Sequence, residues 1–329
     1  MPKVAILDDY AGIALGVADW SPVQKRADIT VFDRHLTEDE AAHALRPFEV
    51  VCTLRERMAF PRTLIERLPS LKLITIVGRS LPNLDMTAAG EHGIAVAHSD
   101  FTHPRFSSVR DATPELAWGL MIATVRNLAE EHHNMREGRW QSSAGVTLSG
   151  KTLGLLGLGR VGARMAHYGA AFGMEVLAWS QNLTEETAAN LGARRVKKAA
   201  LFECSDVVSV HLVLSERTRG LVGAPELALM KPHAYLINTS RGPIVDEAAL
   251  IDALEAGRIA GAGLDVYDTE PLPTGHPLRR LPNVTLSPHL GYVTREMLGA
   301  FYSDTVESVA AWLDGKPIRI ANPEAIQRR

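Results

Sequence analysis

The stretch that decides the fold is Leu153-Gly154-Leu155-Leu156-Gly157-Leu158-Gly159-Arg160-Val161-Gly162. An apolar run leads into the spacing G-x-G-x-x-G, and a helical pattern follows it. In such a strand–turn–helix unit Gly157 permits the tight turn, Gly159 lets the backbone approach a pyrophosphate, and Gly162 lets the helix pack on the strand. The stretch therefore predicts a dinucleotide site.

The beginning of this helix, at Arg160 and Val161, offers unpaired N–H groups and a partial positive charge to phosphate oxygens. The next predicted strand ends at Trp179 and is followed by Ser180-Gln181-Asn182, without the acidic residue that commonly binds the ribose hydroxyls. Ser180 takes that place. No Arg or Lys adjoins it in the sequence to neutralise a 2′-phosphate, and Arg160 is the basic candidate in the glycine-rich turn. The pattern favours NAD and leaves NADP open.

Short apolar or β-branched runs alternate with helical patterns along almost the whole chain, which is typical of parallel βαβ units. The first series of predicted strands comprises Val4–Leu7, Ile29–Phe32, Val50–Leu54, Leu71–Val77 and Ile94–Ala97. The second comprises Thr152–Leu156, Glu175–Trp179, Val207–Val210, Ala234–Ile237, Gly263–Val266 and Val284–Leu286. We therefore predict an α/β protein, with a Rossmann-type doubly wound parallel sheet plus a second, smaller flavodoxin-like α/β domain.

The domain boundaries follow from two helices. One is predicted from Thr113, as the cap, to about Asn127, with Pro114 at the first helical position. The last helix, over 295–313, is expected to cross back to the first unit. We expect residues 1–105 plus 295–329 to form a substrate-binding domain and residues 106–294 to form the dinucleotide-binding domain.

The composition is that of an ordinary globular enzyme. The 329 residues are 46% hydrophobic and 22% charged, with a formal net charge of −3. This balance predicts neither nucleic acid nor a membrane as partner. Only two cysteines occur, Cys52 and Cys204. We therefore expect no disulfide framework, and we expect a cytoplasmic setting. No Cys/His spacing resembles a metal site.

Three ionisable residues each follow a predicted strand of the second series: Arg241, Glu270 and His289. Ligands of open α/β sheets bind outside the carboxyl ends of the strands, so the three side chains are expected to converge. Taken singly, each has a plainer interpretation: a surface ion pair for Arg241, a solvated turn for Glu270 and a core or loop residue for His289. Their joint occurrence after one nucleotide-binding fold favours a catalytic set.

The chemistry of a 2-keto acid needs these residue types. A guanidinium holds a carboxylate with two charge-assisted hydrogen bonds, worth about 1.5–3 kcal/mol. Reduction places negative charge on the carbonyl oxygen, and a histidine can supply the proton that neutralises it, contributing roughly 10²–10⁴ in rate. A carboxylate beside the imidazole fixes its tautomer and favours its protonated form.

Over essentially the whole chain the sequence resembles the D-isomer-specific 2-hydroxyacid dehydrogenases, a family that includes glyoxylate/hydroxypyruvate reductases and 3-phosphoglycerate dehydrogenase. The likeness is densest over 154–162, 238–246, 263–271 and 284–291. It implies hydride transfer between NAD(P)H and a 2-keto or D-2-hydroxy acid, with Arg241 as carboxylate anchor and His289 paired with Glu270 as acid/base. It also implies a small-molecule substrate and a homodimer formed through the helix near Thr113 and the arm Gly138-Arg139-Trp140.

The same resemblance extends to the cofactor cleft. It implies that Asp265 holds the nicotinamide carboxamide, and that backbone near His211 and Thr239 lines the cleft. A capping role for Asp265 is the structural alternative. At the level of function the alternative is a dinucleotide-sensing, corepressor-like binding protein without significant turnover.

The substrate loop departs from the family pattern. It reads Val77-Gly78-Arg79-Ser80-Leu81-Pro82-Asn83-Leu84-Asp85, where the family has glycine at Ser80 and aspartate at Pro82. We expect Gly78, Arg79 and Ser80 to bind substrate, with Arg79 either meeting a second acidic group or facing solvent. Arg55, which follows the third strand, is a further candidate. The loop over 99–111 is longer than usual before the helix and is interpreted as a plain surface loop. Its residues Phe101, His103, Arg105 and Phe106 could alternatively cap the cleft or contact a neighbouring subunit.

Overall fold

The computed structural model describes residues 1–78, 82–107 and 109–327. The chain divides into two compact units, Met1–Arg110 with Thr294–Arg329, and Asp111–Val293. The first unit is thus built from both ends of the chain. The sequence placed the boundaries at 105/106 and 294/295, whereas the division of the structure falls at 110/111 and 293/294.

The described residues contain two sets of parallel strands. In chain order the strands are β1 (Lys3–Ile6), β2 (Asp28–Val31), β3 (Val50–Leu54), β4 (Leu73–Val77), β5 (Ala95–His98), β6 (Thr152–Leu156), β7 (Glu175–Trp179), β8 (Arg194–Arg195), β9 (Val207–Val210), β10 (Tyr235–Asn238), β11 (Gly261–Leu264) and β12 (Val284–Leu286).

The helices lie between the strands and at the end of the chain. They are α1 (Ser21–Gln24), α2 (Glu38–Ala44), α3 (Arg62–Ile65), α4 (Met86–Glu91), α5 (Ala112–Val125), α6 (Leu128–Arg136), α7 (Arg160–Ala171), α8 (Glu185–Asn190), α9 (Lys198–Cys204), α10 (Ala224–Leu229), α11 (Glu247–Glu255), α12 (Arg295–Leu313) and α13 (Glu324–Gln327).

The sheet of the first unit has the order β2-β1-β3-β4-β5, which is the flavodoxin-like order. Its strands pair in parallel. Both β3 and β4 are buried along their whole length, as continuous apolar strands covered on both faces should be. This confirms the smaller α/β domain that the sequence predicts.

The sheet of the second unit has the order β12-β11-β10-β9-β6-β7-β8. Counted within the unit, this is the Rossmann order 3-2-1-4-5-6 with one further parallel strand beyond β11. The ends of the central strands are in register: Leu156 lies opposite Val210, and Asn238 opposite both Val210 and Leu264. The loops that leave these strands therefore begin at one edge of the sheet.

The structure corrects two local expectations about the secondary-structure elements. β8 was not predicted, because Arg194 and Arg195 form a two-residue, exposed edge strand without an apolar signal. α5 begins at Ala112, so Thr113 lies inside the helix instead of capping it. The preceding residue, Asp111, is the cap and makes no side-chain hydrogen bond there.

The loop before α5 is also wrongly interpreted as a plain surface loop. Phe106 is 1% exposed and packs with Phe101 and with Phe301 of α12. Arg105 lies 3.3 Å from the buried Asp304 carboxylate and 2.5 Å from Glu307, both on α12. Aromatic packing and these ion pairs anchor the loop within the first unit.

Over the described ranges, no helix combines the length and the apolar character that crossing a bilayer requires. Within the same ranges, no group of three or more His, Cys, Asp or Glu side chains is arranged to hold a metal ion.

Candidate active site

The residues of the second unit that bear on the candidate site lie at the carboxyl edge of the seven-stranded sheet. Gly157 follows β6, His211 follows β9, and Thr239 follows β10. Asp265 and Ser287 follow β11 and β12 directly. Strand order reverses between β6 and β9, and open α/β sheets bind their ligands outside the strand ends at such a switch point.

The glycine-rich turn is held tightly by its surroundings at two of its three glycines. Gly157 has φ +107°, and a Cβ there would overlap the carbonyl oxygen of His211. A Cβ at Gly162 would overlap the carbonyl oxygen of Gly157. These two glycines are required for the turn and for the approach of α7 to β6.

Gly159 differs, because a Cβ there would meet no atom within 4 Å. Gly159 is the residue that precedes α7. Because glycine has no side chain, it does not cap the first turn of that helix, which begins with Arg160 and Val161. The space over Gly159 and the uncapped N–H groups of a 12-residue helix fit a pyrophosphate.

Two further positions fit a bound dinucleotide. Thr239 is 7% exposed, and among the described residues its hydroxyl finds no hydrogen-bond partner. Buried hydroxyls are normally satisfied, so this one is suited to a ligand group. Ser180 lies immediately beyond β7 and is half-buried at the edge where a ribose is expected.

His211 is uncharged at neutral pH in this environment. Its Nε2 lies 2.8 Å from the hydroxyl of Ser209, and its backbone N–H donates to the carbonyl of Leu156. Burial lowers the pKa of His211 to about 3. The residue therefore lines the crevice as a neutral group and adds no positive charge beside a phosphate.

Arg241 is presented by a turn that the Asn238 side chain fixes. The Asn238 amide donates to the Arg241 carbonyl at 3.0 Å and accepts from the Ser240 N–H at 3.0 Å. Ser240 donates its hydroxyl to the carbonyl of Val210 on the neighbouring strand. Gly242 allows this turn to lie against the backbone of Tyr267, where a Cβ would overlap it.

Glu270 and His289 are in direct contact. The Nδ1 atom of His289 lies 2.5 Å from the Oε2 atom of Glu270. The other oxygen of Glu270 accepts the N–H of Tyr267 at 3.0 Å, and the Glu270-Pro271 peptide bond is cis. The side chains of His289 and Glu270 are 17% and 28% exposed, so the pair is only partly desolvated.

Asp265 holds the loop that carries His289. One of its carboxylate oxygens accepts from the Ser287 hydroxyl at 2.6 Å and from the Leu290 N–H at 2.7 Å. The other accepts from the Gly291 N–H at 3.0 Å. Burial raises the pKa of the fully buried Asp265 carboxyl. These contacts place Asp265 in a loop-holding role, the alternative that the sequence left open.

The sequence did not predict the supporting roles of three residues: Asn238, Tyr267 and Ser287. The Tyr267 hydroxyl lies 2.9 Å from the Ser287 carbonyl and 3.0 Å from the Leu264 carbonyl. Each of the three lies in one of the stretches where the family resemblance is densest, and this position was the one indication that the sequence offered. Their partners lie on other strands, and a pattern along the chain does not reveal them.

The candidate substrate residues of the first unit follow β3 and β4. Arg55 has φ +57°, a left-handed conformation that non-glycine residues rarely adopt, and its Nε lies 3.6 Å from a Glu56 oxygen. Gly78 has φ +143°. Arg79 and Ser80 lie outside the described residues.

Comparison with known proteins identifies the family of the chain. Residues 118–291 match the family model described as D-isomer specific 2-hydroxyacid dehydrogenase, NAD binding domain. The chain is 38% identical to the glyoxylate reductase of Aeropyrum pernix over 276 residues, 81% of each protein. It is 34% identical to the D-3-phosphoglycerate dehydrogenase of Methanocaldococcus jannaschii over 85% of this chain and 53% of that protein.

Solved structures give the same result over nearly the whole length. The phosphoglycerate oxidoreductase of Vibrio cholerae is 35% identical, with a TM-score of 0.88 and coverage of 96% of this chain and 100% of that one. D-lactate dehydrogenase of Escherichia coli is 26% identical, with a TM-score of 0.80 and coverage of 97% and 99%. These relatives are named as reductases and dehydrogenases, so a binding protein without turnover is not favoured. The chain belongs to the D-isomer specific 2-hydroxyacid dehydrogenase family and is an NAD(P)-dependent oxidoreductase of 2-keto and 2-hydroxy acids.

Proposed function

We propose that Arg241, Glu270 and His289 carry out the reduction of a 2-keto acid to a D-2-hydroxy acid. The observation that carries the proposal is the 2.5 Å contact between His289 Nδ1 and Glu270 Oε2. With Nδ1 engaged, Nε2 is the ring nitrogen that exchanges a proton with the substrate oxygen. His289 thus acts as acid in reduction and as base in the reverse reaction.

Glu270 is proposed to orient the imidazole and to stabilise it when it carries two protons. The Tyr267 N–H on its other oxygen keeps the carboxylate from rotating away. Arg241 is proposed to bind the substrate carboxylate with two parallel N–H donors, which fixes the carbonyl carbon for attack. The Asn238 turn supports this by fixing the backbone of Arg241.

NAD(P)H would supply the hydride when bound at the carboxyl edge of the second unit. We propose that Gly157, Gly159 and the start of α7 hold its pyrophosphate and that Ser180 meets its ribose. Thr239 and His211 would line the nicotinamide side. Asp265, although occupied by three loop hydrogen bonds, retains acceptor capacity and is proposed to meet the carboxamide.

For the substrate we propose a small 2-keto acid, because relatives are named glyoxylate reductase and hydroxypyruvate reductase. The first unit, with Arg55 and Gly78, is proposed to be the substrate-binding domain. Arg79 and Ser80 are assigned to it from the sequence alone.

We also propose a homodimer that works in the cytoplasm. The segment from α6 to the arm exposes large apolar side chains, with Met135 54% and Trp140 72% exposed, which supports burial against a second copy. Cys52 and Cys204 are free thiols, as expected in a reducing compartment. A monomeric mass by light scattering at micromolar concentration would contradict the dimer.

The test of the proposed function is a panel of 2-keto acids assayed for oxidation of NADH, with chiral analysis of the product. Glyoxylate, hydroxypyruvate, pyruvate and phenylpyruvate span the sizes to be compared. We expect turnover of at least one of them, and the D-enantiomer wherever the product is chiral. If none of the keto acids supported oxidation of NADH, or if the chiral product were the L-enantiomer, the proposal would be wrong.

A further inference from the structure

The end of β7 carries no acidic residue at the position where nucleotide folds commonly place one. The strand ends at Trp179, and Ser180-Gln181-Asn182 follow. A carboxylate there accepts hydrogen bonds from the ribose of NAD and repels a 2′-phosphate. Without this carboxylate the repulsion of a 2′-phosphate is lost, but binding the phosphate still requires positive charge nearby.

The neighbouring edge strand brings positive charge to the same place. β8 pairs in parallel with β7, with Ala178 opposite Arg195, and the Val196 N–H donates to the Ala178 carbonyl at 3.0 Å. Parallel strands end at the same edge of a sheet. The chain after Arg195 therefore leaves the sheet beside Ser180, although the two residues are far apart in the sequence.

The two arginines of β8 reach opposite ends of β7. The Arg194 guanidinium lies 2.6 Å from Glu175, at the start of β7. The Arg195 guanidinium lies 3.9 Å from Glu185, in the first turn of α8, just beyond the end of β7. Arg195 is thus the arginine at the carboxyl edge, where the ribose of a dinucleotide is expected.

The contact between Arg195 and Glu185 is weak enough to yield to a phosphate. It is long, the Arg195 side chain is 42% exposed, and the Glu185 side chain is 88% exposed. Exposed ion pairs of this kind contribute little to stability, because water screens both charges. A phosphate carries a larger charge than a carboxylate and matches the planar donors of arginine.

Lys197 adds a second cation at this edge. It is exposed and directly precedes α9. The next residue, Lys198, is already engaged, with its Nζ 2.8 Å from Glu226. Lys197 is therefore the lysine available beside Arg195.

We propose that Arg195, assisted by Lys197, binds the 2′-phosphate of NADPH, so that this enzyme uses NADPH as well as NADH. The inference rests on the proposed function, since it assigns a second cofactor to the same site. The residues next to Ser180 in the sequence favour NAD, because the two cations lie fifteen and seventeen residues further along the chain, at Arg195 on β8 and at Lys197 just after it.

The kinetic test measures kcat/KM for NADPH and NADH in the wild type and in Arg195→Ala, with Arg194→Ala as the matched control. We expect wild-type turnover with both cofactors. Arg195→Ala should lower kcat/KM for NADPH about tenfold or more and change that for NADH less than about twofold. Arg194→Ala should change neither, because its guanidinium serves the other end of β7.

A binding test separates this inference from the catalytic proposal. Calorimetry of the complete protein with 2′,5′-ADP and with 5′-AMP isolates the 2′-phosphate without any turnover. We expect 2′,5′-ADP to bind more tightly than 5′-AMP, and Arg195→Ala to remove that difference. Equal affinities in the wild type, or equal losses for both cofactors in Arg195→Ala, would overturn the inference. Absence of all turnover together with the expected calorimetry would instead count against the proposed function.

Discussion

The imidazole of His289 is fixed by Glu270, and Glu270 is fixed in turn. Its Oε2 lies 2.5 Å from His289 Nδ1, while its Oε1 accepts the Tyr267 N–H at 3.0 Å. Both carboxylate oxygens of Glu270 are therefore engaged, and this fixes the orientation of the His289 ring. In this geometry only Nε2 of His289 is left to exchange a proton with a substrate.

Replacing His289 by glutamine should lower turnover by orders of magnitude while leaving cofactor binding intact. We expect kcat to fall about 10²–10⁴-fold, because glutamine cannot donate the proton in reduction. Steady-state kinetics with a keto acid measures the loss, and fluorescence titration with NADH measures binding.

The chain offers a matched control for that variant. His276 also pairs with a glutamate, with Nε2 3.0 Å from Glu247, and its side chain is 17% exposed, like that of His289. His276→Gln should keep kcat within about twofold of the wild type. Comparable activity in the His289 and His276 variants would show that His289 is not the proton donor.

Arg241→Lys should weaken substrate binding without abolishing the chemistry. Lysine keeps the charge but loses the two parallel donors, so we expect KM for the keto acid to rise about 10- to 100-fold. The exposed Arg164, paired with Asp111, provides the control as Arg164→Lys. An unchanged KM in Arg241→Lys would remove Arg241 from the carboxylate site.

Two glycines of the phosphate turn should respond differently to alanine. Gly162→Ala would press its Cβ against the Gly157 carbonyl oxygen, so we expect the free energy of unfolding to fall about 1–3 kcal/mol. Gly159→Ala meets no protein atom within 4 Å, so its melting temperature should be unchanged. Its Kd for NADH should nevertheless rise about tenfold or more, because the methyl group occupies the approach of the pyrophosphate.

Calorimetric melting of both variants tests the packing role of Gly162, and titration of Gly159→Ala with NADH tests the role of Gly159 in binding the pyrophosphate. A Gly159→Ala variant with wild-type affinity for NADH would mean that the pyrophosphate does not approach this residue. A Gly162→Ala variant as stable as the wild type would mean that α7 does not need its close approach to β6.

The stability of the free enzyme should depend on pH through His211. Its folded pKa is about 3, below the roughly 6.5 of an unfolded histidine. Between these values the unfolded chain binds a proton that the folded chain does not, so stability rises with pH in this window and is lost as the pH falls below about 6.5. The slope from one such group is at most about 1.4 kcal/mol per pH unit.

Urea unfolding at several values from pH 4.5 to 7.5 measures this dependence. His211→Gln should show a shallower loss of stability on acidification than the wild type. His167→Gln, which changes an exposed histidine on α7, should retain the wild-type dependence. Identical pH profiles for wild type and His211→Gln would show that His211 is not held neutral by burial.

The sequence predicts best where burial imposes a continuous pattern. The bounds of β3, β6 and β9 are as predicted, because buried parallel strands need unbroken apolar runs. β8 gave no such signal, since its two arginines are exposed. The contact between Glu270 and His289 follows from topology, because their strands are neighbours.

The supporting hydrogen bonds were beyond prediction for a different reason. Asp265 accepts from Ser287, Leu290 and Gly291, more than twenty residues later. Which of its possible partners it takes depends on where the loop after β12 lies in space. The anchoring of the loop before α5 through Arg105 and Asp304 depends likewise on a helix from the other end of the chain.

His289 has φ +55°, a backbone conformation that costs a residue with a side chain about 1–2 kcal/mol. Glycine or asparagine would occupy it with less strain. Variants selected for heat resistance alone should therefore drift away from histidine at this position, and those selected for turnover should keep it. A library screened in both ways would separate what the fold tolerates from what the reaction demands, at a single residue.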